Sequence, residues 1–223
     1  MGVAAVLFDC DGVLVDSEPI TNRVLCAMLN ELGLAFDVER TMRTFMGKAL
    51  REELAIIEAM AGRTLPADWY EGFARRRDAA LSKEVRAVPH AADAIAAIAA
   101  AGLPFAAASG ADRAKMRLTL GTSGLLARFE AGPGDARSRV FGADQVERPK
   151  PAPDVYLLAA RALGVPAARC AVIEDTPTGT AAGVAAGALV LGYCAHTDPR
   201  ALLAAGCAAT FDDMRRLPAL LGL

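Results

Sequence analysis

A chain of 223 residues that is 54% hydrophobic but only 5% aromatic must build its core mainly from Ala, Leu and Val, and it can hold one large domain or a domain with an insertion. Its formal charge of -2 gives no electrostatic footing for nucleic acid or an anionic membrane, and no apolar run approaches the ~20 residues that cross a bilayer. Five scattered cysteines (Cys10, Cys26, Cys170, Cys194, Cys207) form no Cys-x-x-Cys pair, which points to reduced thiols and a cytoplasmic protein.

From Val3 to Phe8 an apolar stretch reads as a buried strand. It is halted by Asp9-Cys10-Asp11 and by Gly12, which permits a sharp turn where the carboxylates emerge. Strand ends of open α/β sheets are where ligands bind, and two close carboxylates call for a cation, a shared proton or chemistry. An ordinary Asp-Gly turn accounts for them equally well at this point. Cys10 between them reads as a small interior residue.

After Asp16 the pattern is helical as far as Arg86. Ser17 is a candidate cap and Pro19 sits in the first turn. Val24, Leu25, Met28, Leu29 and Leu32 form an apolar stripe, and Gly33 ends the helix. Further helices are expected over Leu50–Met60 and Ala67–Leu81, separated by Gly62 and Pro66. Arg75-Arg76-Arg77 reads as a solvated helix face.

From Val88 the texture alternates. Helix Ala91–Ala101 precedes strand Pro104–Ala108, followed by helix Arg113–Leu120, strand Arg139–Phe141 and helix Pro153–Leu163. Strand Cys170–Ile173, helix Thr178–Ala186, strand Ala188–Leu191, a helix from Pro199, strand Ala208–Phe211 and a short terminal helix complete the series. Strands spaced by helices predict parallel β-α units, and the Gly-, Pro- and charge-rich Ala131–Ser138 predicts a surface loop. The expected fold class is therefore α/β. Residues 1–16 and 87–223 form a doubly wound parallel sheet, Rossmann-like, and residues 17–86 an inserted α-helical cap domain over its carboxyl-terminal edge. His90 falls at the junction of the two, and His196 in a helix-start loop.

Three more constellations join the two aspartates. Phe105–Ala108 runs into Ser109-Gly110, where a hydroxyl and the following N–H groups can hold a phosphate oxygen at a helix start; a plain N-cap serine is the competing reading. Lys150 lies within Arg148-Pro149-Lys150-Pro151-Ala152-Pro153-Asp154, stiffened by prolines on both sides, and can place a fixed positive charge in a cleft. Cys170–Ile173 ends in Glu174-Asp175-Thr176, whose hard oxygens suit Mg²⁺, with solvated loop acids as the alternative. Jointly these supply a metal site, a nucleophile, an anion cradle and a counter-charge, the parts needed for phosphoryl transfer.

Asp9-x-Asp11-Gly12-Val13-Leu14-Val15-Asp16-Ser17-Glu18, Ser109-Gly110, Lys150-Pro151-Ala152-Pro153-Asp154 and Glu174-Asp175-Thr176-x-x-Gly179 resemble, in order and placement, the four motifs of the haloacid dehalogenase superfamily. The likeness is closest to its phosphatases and mutases with an inserted helical cap, related to β-phosphoglucomutase and phosphoglycolate phosphatase. The resemblance implies a Mg²⁺-dependent phosphatase that hydrolyses a small phosphorylated metabolite, a sugar phosphate or related acid, through an aspartyl-phosphate. It implies Asp9 as nucleophile and Asp11 as acid, then base, with Ser109, Gly110 and Lys150 holding phosphoryl oxygens. It implies a Mg²⁺ site of Asp9, the Asp11 backbone carbonyl and Asp175, with Glu174 acting directly or through water.

Substrate choice would come from the cap, where Gly47-Lys48, aided by Arg51, lies between two helices; ordinary solvated cap charges account for these residues equally well. The presence of Asp11 argues against a dehalogenase, since those relatives lack the second aspartate. A β-phosphoglucomutase-like mutase is the alternative, weakened by Thr21 where mutases often carry histidine. A non-catalytic phospho-accepting signalling module is a remote alternative, disfavoured by chain length and by the cap. No nucleic-acid or membrane partner is expected, and the chain is expected to be a monomer or weak homodimer.

Overall fold

Short apolar runs become strands where both of their faces are covered. In the computed structural model, which describes residues 2–45, 50–130 and 137–223 (the backbone alone at 50 and 51), such runs form β1 (Ala5–Phe8), β2 (Phe105–Ala108), β3 (Val140–Phe141), β4 (Cys170–Glu174), β5 (Leu189–Tyr193) and β6 (Ala209–Phe211). All pair in parallel, in the order β3-β2-β1-β4-β5-β6. Every residue of β1, β2 and β4 is buried, as a doubly covered sheet requires. The α/β fold class read from the sequence is the one observed, with strands trimmed or extended only at their ends.

Contacts divide the chain into two units, Ser17–Val85 and a discontinuous one of Met1–Asp16 with Arg86–Leu223. The first holds α1 (Glu18–Glu31), α2 (Val38–Phe45), α3 (Leu50–Ala61) and α4 (Trp69–Glu84). Leu25, Cys26, Met28 and Leu29 of α1 pack with Phe36, Phe45, Ile57 and Phe73, while Val24 and Leu32 flank this core partly buried. The sequence pattern does not single out α2, because its segment buries only Thr41 and Phe45 among Glu39, Arg40 and Arg43, too thin a stripe to register. Arg77 corrects the reading of the arginine run as a solvated face. Arg75 and Arg76 make exposed pairs with Glu71 and Glu31, but the Arg77 side chain is only 11% exposed, bonded to Asp78 and lying over the Phe73 ring.

The second unit adds α5 (Ala91–Ala100), α6 (Arg113–Thr122), α7 (Asp154–Ala162), α8 (Pro177–Ala185), α9 (Pro199–Ala204) and α10 (Leu217–Leu220) to the sheet. α7 lies against β1, β2 and β3, and α8 against β4 and β5. Their apolar faces, Val155, Tyr156 and Ala159 on α7 and Ala182 on α8, close over Leu7, Ala106, Val172 and Val190. All five cysteines are thiols, four of them buried. Among the described residues no helix is long and apolar enough to cross a membrane. Gly47, Lys48 and most of the expected loop Ala131–Ser138 lie outside the described residues, as does the side chain of Arg51.

Candidate active site

Strand register brings the chemistry level. Phe8 pairs with Ala107 on one side and Ile173 on the other. Asp9 therefore stands beside Ala108 and Glu174, each one strand spacing of about 4.8 Å away. The Asp9 N–H donates to the Ile173 carbonyl at 2.9 Å, and the Ser109 N–H to the Phe141 carbonyl at 3.0 Å. Strand order reverses between β1 and β4, so the crevice at their carboxyl ends is where such sheets take ligands.

Lys150, from the proline-stiffened segment before α7, reaches into this crevice. Its ammonium donates to Asp9 Oδ1 at 2.7 Å, Glu174 Oε1 at 2.7 Å, the Tyr156 hydroxyl at 2.8 Å and the Ala108 carbonyl at 3.2 Å. Four acceptors share three N–H donors, so they cannot all be fully bonded by the ammonium at once. Glu174 is more heavily committed. Its Oε1 also accepts from the Tyr156 hydroxyl at 2.7 Å, and its Oε2 from the N–H groups of Asp175 and Thr176 and from the Thr176 hydroxyl. One carboxylate oxygen each from Asp9, Glu174 and Asp175 lies within 4.8 Å of the others.

Burial pushes the Asp9 carboxyl up to about 7; the Lys150 charge opposes that rise and the Glu174 charge adds to it. Burial also works against the Lys150 ammonium, but Asp9 and Glu174 more than offset it and hold the lysine charged. The Tyr156 phenol is driven well above its ordinary value, by burial first and then by Glu174, so it remains a hydrogen-bond donor. Cys10 is raised in the same way and stays a neutral buried thiol, which fits an interior residue and no nucleophile.

Two glycines make room for the acids. Gly12 sits at φ +75°, and a Cβ there would fall 2.0 Å from Asp175 Oδ2; a Cβ at Gly179 would fall 1.7 Å from Glu174 Oε1. Backbone without side chains thus leaves room for the three clustered carboxylates beside the Lys150 ammonium, and their oxygens are a donor set that fits a hard divalent cation.

Asp11 lies in the turn after β1, bridged to Val15, and its Oδ2 accepts from the Lys115 ammonium at 2.9 Å. Ser109 is buried at the end of β2, with its Oγ accepting from the Ala111 N–H at 3.2 Å. The reading of Ser109 as a helix cap fails: α6 is capped by Asp112, which accepts from the Lys115 N–H at 2.8 Å. Gly110 follows beside the Lys150 stem, 4.0 Å from Cδ to where its Cβ would stand. Asp9, Lys150, Glu174 and Asp175 come together, whereas Asp11 engages Lys115. Sequence reasoning missed Lys115 and Tyr156. Tyr156 carries the better signal, because a phenol on the buried face of α7 needs a polar partner.

A family model described as haloacid dehalogenase-like hydrolase matches residues 3–187. The chain belongs to this family. Over 221 residues it is 31% identical to 6-phosphogluconate phosphatase of Escherichia coli strain K12, covering 98% of this chain and 94% of that protein. Hexitol phosphatase A of the same organism is 33% identical over 195 residues, 86% of this chain and 83% of the relative. A crystal structure of a HAD family hydrolase from Deinococcus radiodurans R1, with bound phosphate and sodium, superposes with a TM-score of 0.81 at 36% identity, over 99% of this chain and 95% of that one. This haloacid dehalogenase-like chain is thus an enzyme, a hydrolase whose named relatives are phosphatases.

Proposed function

We propose that the chain is a Mg²⁺-dependent phosphatase for a small phosphorylated sugar or sugar acid, working through a phosphoaspartate on Asp9. The observation that carries this reading is the cluster at the β1 and β4 ends, where Lys150 joins Asp9 to Glu174 and three acids bring their oxygens within 4.8 Å. The substrate class follows the relatives, which are named for 6-phosphogluconate and hexitol phosphates.

Asp9, Asp175 and the Asp11 backbone carbonyl would hold the ion. Glu174, whose lone pairs already serve five donors, orients the site from behind. When bound, Mg²⁺ supplies the positive charge that lets an ionised Asp9 meet a phosphate dianion. Asp9 then forms a bond to phosphorus through a carboxylate oxygen while the ester P–O bond breaks. Asp11 gives its proton to the departing oxygen, then takes one from the water that attacks the phosphoaspartate and releases inorganic phosphate. Lys150, Ser109 and the Gly110 N–H hold the phosphoryl oxygens that do not react. Five thiols suit a reducing compartment, and we assign the enzyme to the cytoplasm.

Protein incubated with Mg²⁺ and a panel of phosphoesters, including 6-phosphogluconate and hexitol phosphates, is expected to release inorganic phosphate. Asp9→Asn is expected to lower that release by about four orders of magnitude or more. Undiminished release by Asp9→Asn, or isomerised sugar phosphate formed in place of inorganic phosphate, overturns the reading; the second outcome would indicate a mutase.

A further inference from the structure

Asp11 is gripped by a cation that none of the four motifs contains. Lys115, on the first turn of α6, gives its ammonium to Asp11 Oδ2 at 2.9 Å, and the two side chains are only 14% and 17% exposed. One turn further along the helix, Thr119 Oγ1 lies 3.8 Å from Cys10 Sγ, both residues buried. Lys115 and Thr119 are spaced i, i+4 and so share a helix face. Cys10 and Asp11 are consecutive. One face of α6 therefore holds the turn after β1 at two neighbouring points, and the Gly12 N–H, bonded to the Val15 carbonyl at 2.8 Å, closes that turn on itself. The position of the Asp11 carboxyl is thereby tied to α6.

Resting on the phosphatase reading above, we infer that Lys115 is a positioning residue for Asp11 in leaving-group departure. It holds Asp11 Oδ2 and so fixes where that carboxyl group meets the departing ester oxygen. As the bond from Asp9 to phosphorus forms and the ester P–O bond breaks, the departing oxygen takes the Asp11 proton. The carboxylate that remains on Asp11 stays joined to Lys115. An ester that leaves as a stable anion needs no such proton, so the anchor matters only for poor leaving groups.

The test is leaving-group dependence in the Mg²⁺-loaded enzyme, read in single turnover as transfer to Asp9. A positioned general acid is worth about 10²- to 10⁴-fold, so Lys115→Met should slow transfer from an alkyl ester such as a sugar phosphate by about 10- to 100-fold. With p-nitrophenyl phosphate the same variant should lose less than about 3-fold, because the nitrophenolate departs unprotonated. Lys115→Arg should recover most of the rate, and Lys115→Met should add nothing in an Asp11→Asn background. Equal losses on the two esters would reveal a merely structural role, and faster transfer would reveal a restraint; either overturns the proposal. If Lys115→Met does not fold, Lys115→Gln and Lys115→Arg carry the same comparison. Undiminished activity of Asp9→Asn would instead sink the phosphatase reading, independently of Lys115.

Discussion

Apart from Arg77–Asp78, the ion pairs described in the helical unit Ser17–Val85 sit in water, and those at the strand ends of the sheet unit do not. Arg23 and Glu84 are 52% and 47% exposed, and Arg43–Glu39, Arg75–Glu71 and Arg76–Glu31 are also solvated. The buried core beneath them is built from aliphatic, aromatic and sulfur-bearing side chains. At the sheet, Lys150, Asp9 and Glu174 are 9%, 10% and 1% exposed and come from distant parts of the chain. Solvent screens the first kind of pair until its loss hardly matters. Desolvation makes each member of the second kind depend on its neighbours, so removing one disturbs all. Charge shapes the surface of one unit and organises the interior of the other.

Substitutions can break this contrast, beginning on the buried side. Gly12→Ala puts a methyl where Asp175 Oδ2 now lies and strains a left-handed backbone. Calorimetric titration with Mg²⁺ should show affinity about 10- to 100-fold weaker. Denaturant melts should show a loss of about 1–3 kcal/mol.

Asp9→Asn sharpens the contrast by separating function from stability. Because the folded-state value of Asp9 is raised to about 7, its stabilising contribution is present below the ordinary carboxylate range and is lost as pH rises through about 7. In chelator, the variant should therefore gain melting temperature relative to the unsubstituted protein as pH goes from 4 to 8, with the gap widest at the alkaline end. A pH-independent gap would show that burial of the Asp9 charge carries no such cost.

Tyr156→Phe removes only the hydroxyl shared by Lys150 and Glu174. A loss of about 1 kcal/mol in denaturant melts is expected, together with a lower turnover rate at saturating substrate. Smallest of all, Arg23→Ala in the helical unit should shift stability by no more than about 0.5 kcal/mol. A larger change would show that the exposed pairs are more than surface decoration.

The sheet was legible because its strands are short apolar runs spaced by helices, and three of the runs end abruptly in a polar residue, at Phe8-Asp9, Ala108-Ser109 and Ile173-Glu174. Each ending alone has an ordinary structural reading, an Asp-Gly turn, a helix cap or solvated loop acids, and it was their recurrence on several parallel strands that disclosed the acids and the hydroxyl. Lys115 and Tyr156 were hidden for a different reason. A lysine on the first turn of a helix is usually solvated, and a tyrosine on an apolar helix face usually packs. Their partners, Asp11 and Glu174, are set by which strands lie side by side, and no local pattern reveals that neighbourhood. Ser109 shows the converse: its position before a helix suggested a cap, but Asp112, three residues later, takes that role and leaves the hydroxyl at the strand end.

The place of β1 in the sheet has a consequence for the birth of the enzyme. The strand that carries Asp9 is translated ahead of all the others, yet it lies between β2 and β4, with Ala5 matched to Cys170. A ribosome must deliver most of the polypeptide before this strand gains its second hydrogen-bonded edge, and contacts so distant in sequence are slow to form. A nascent chain halted short of Cys170 has an open edge and lacks Glu174 and Asp175, two of the three clustered carboxylates. Catalytic competence therefore arrives late in synthesis, and a truncated product is an aggregation hazard before it is ever a hydrolase.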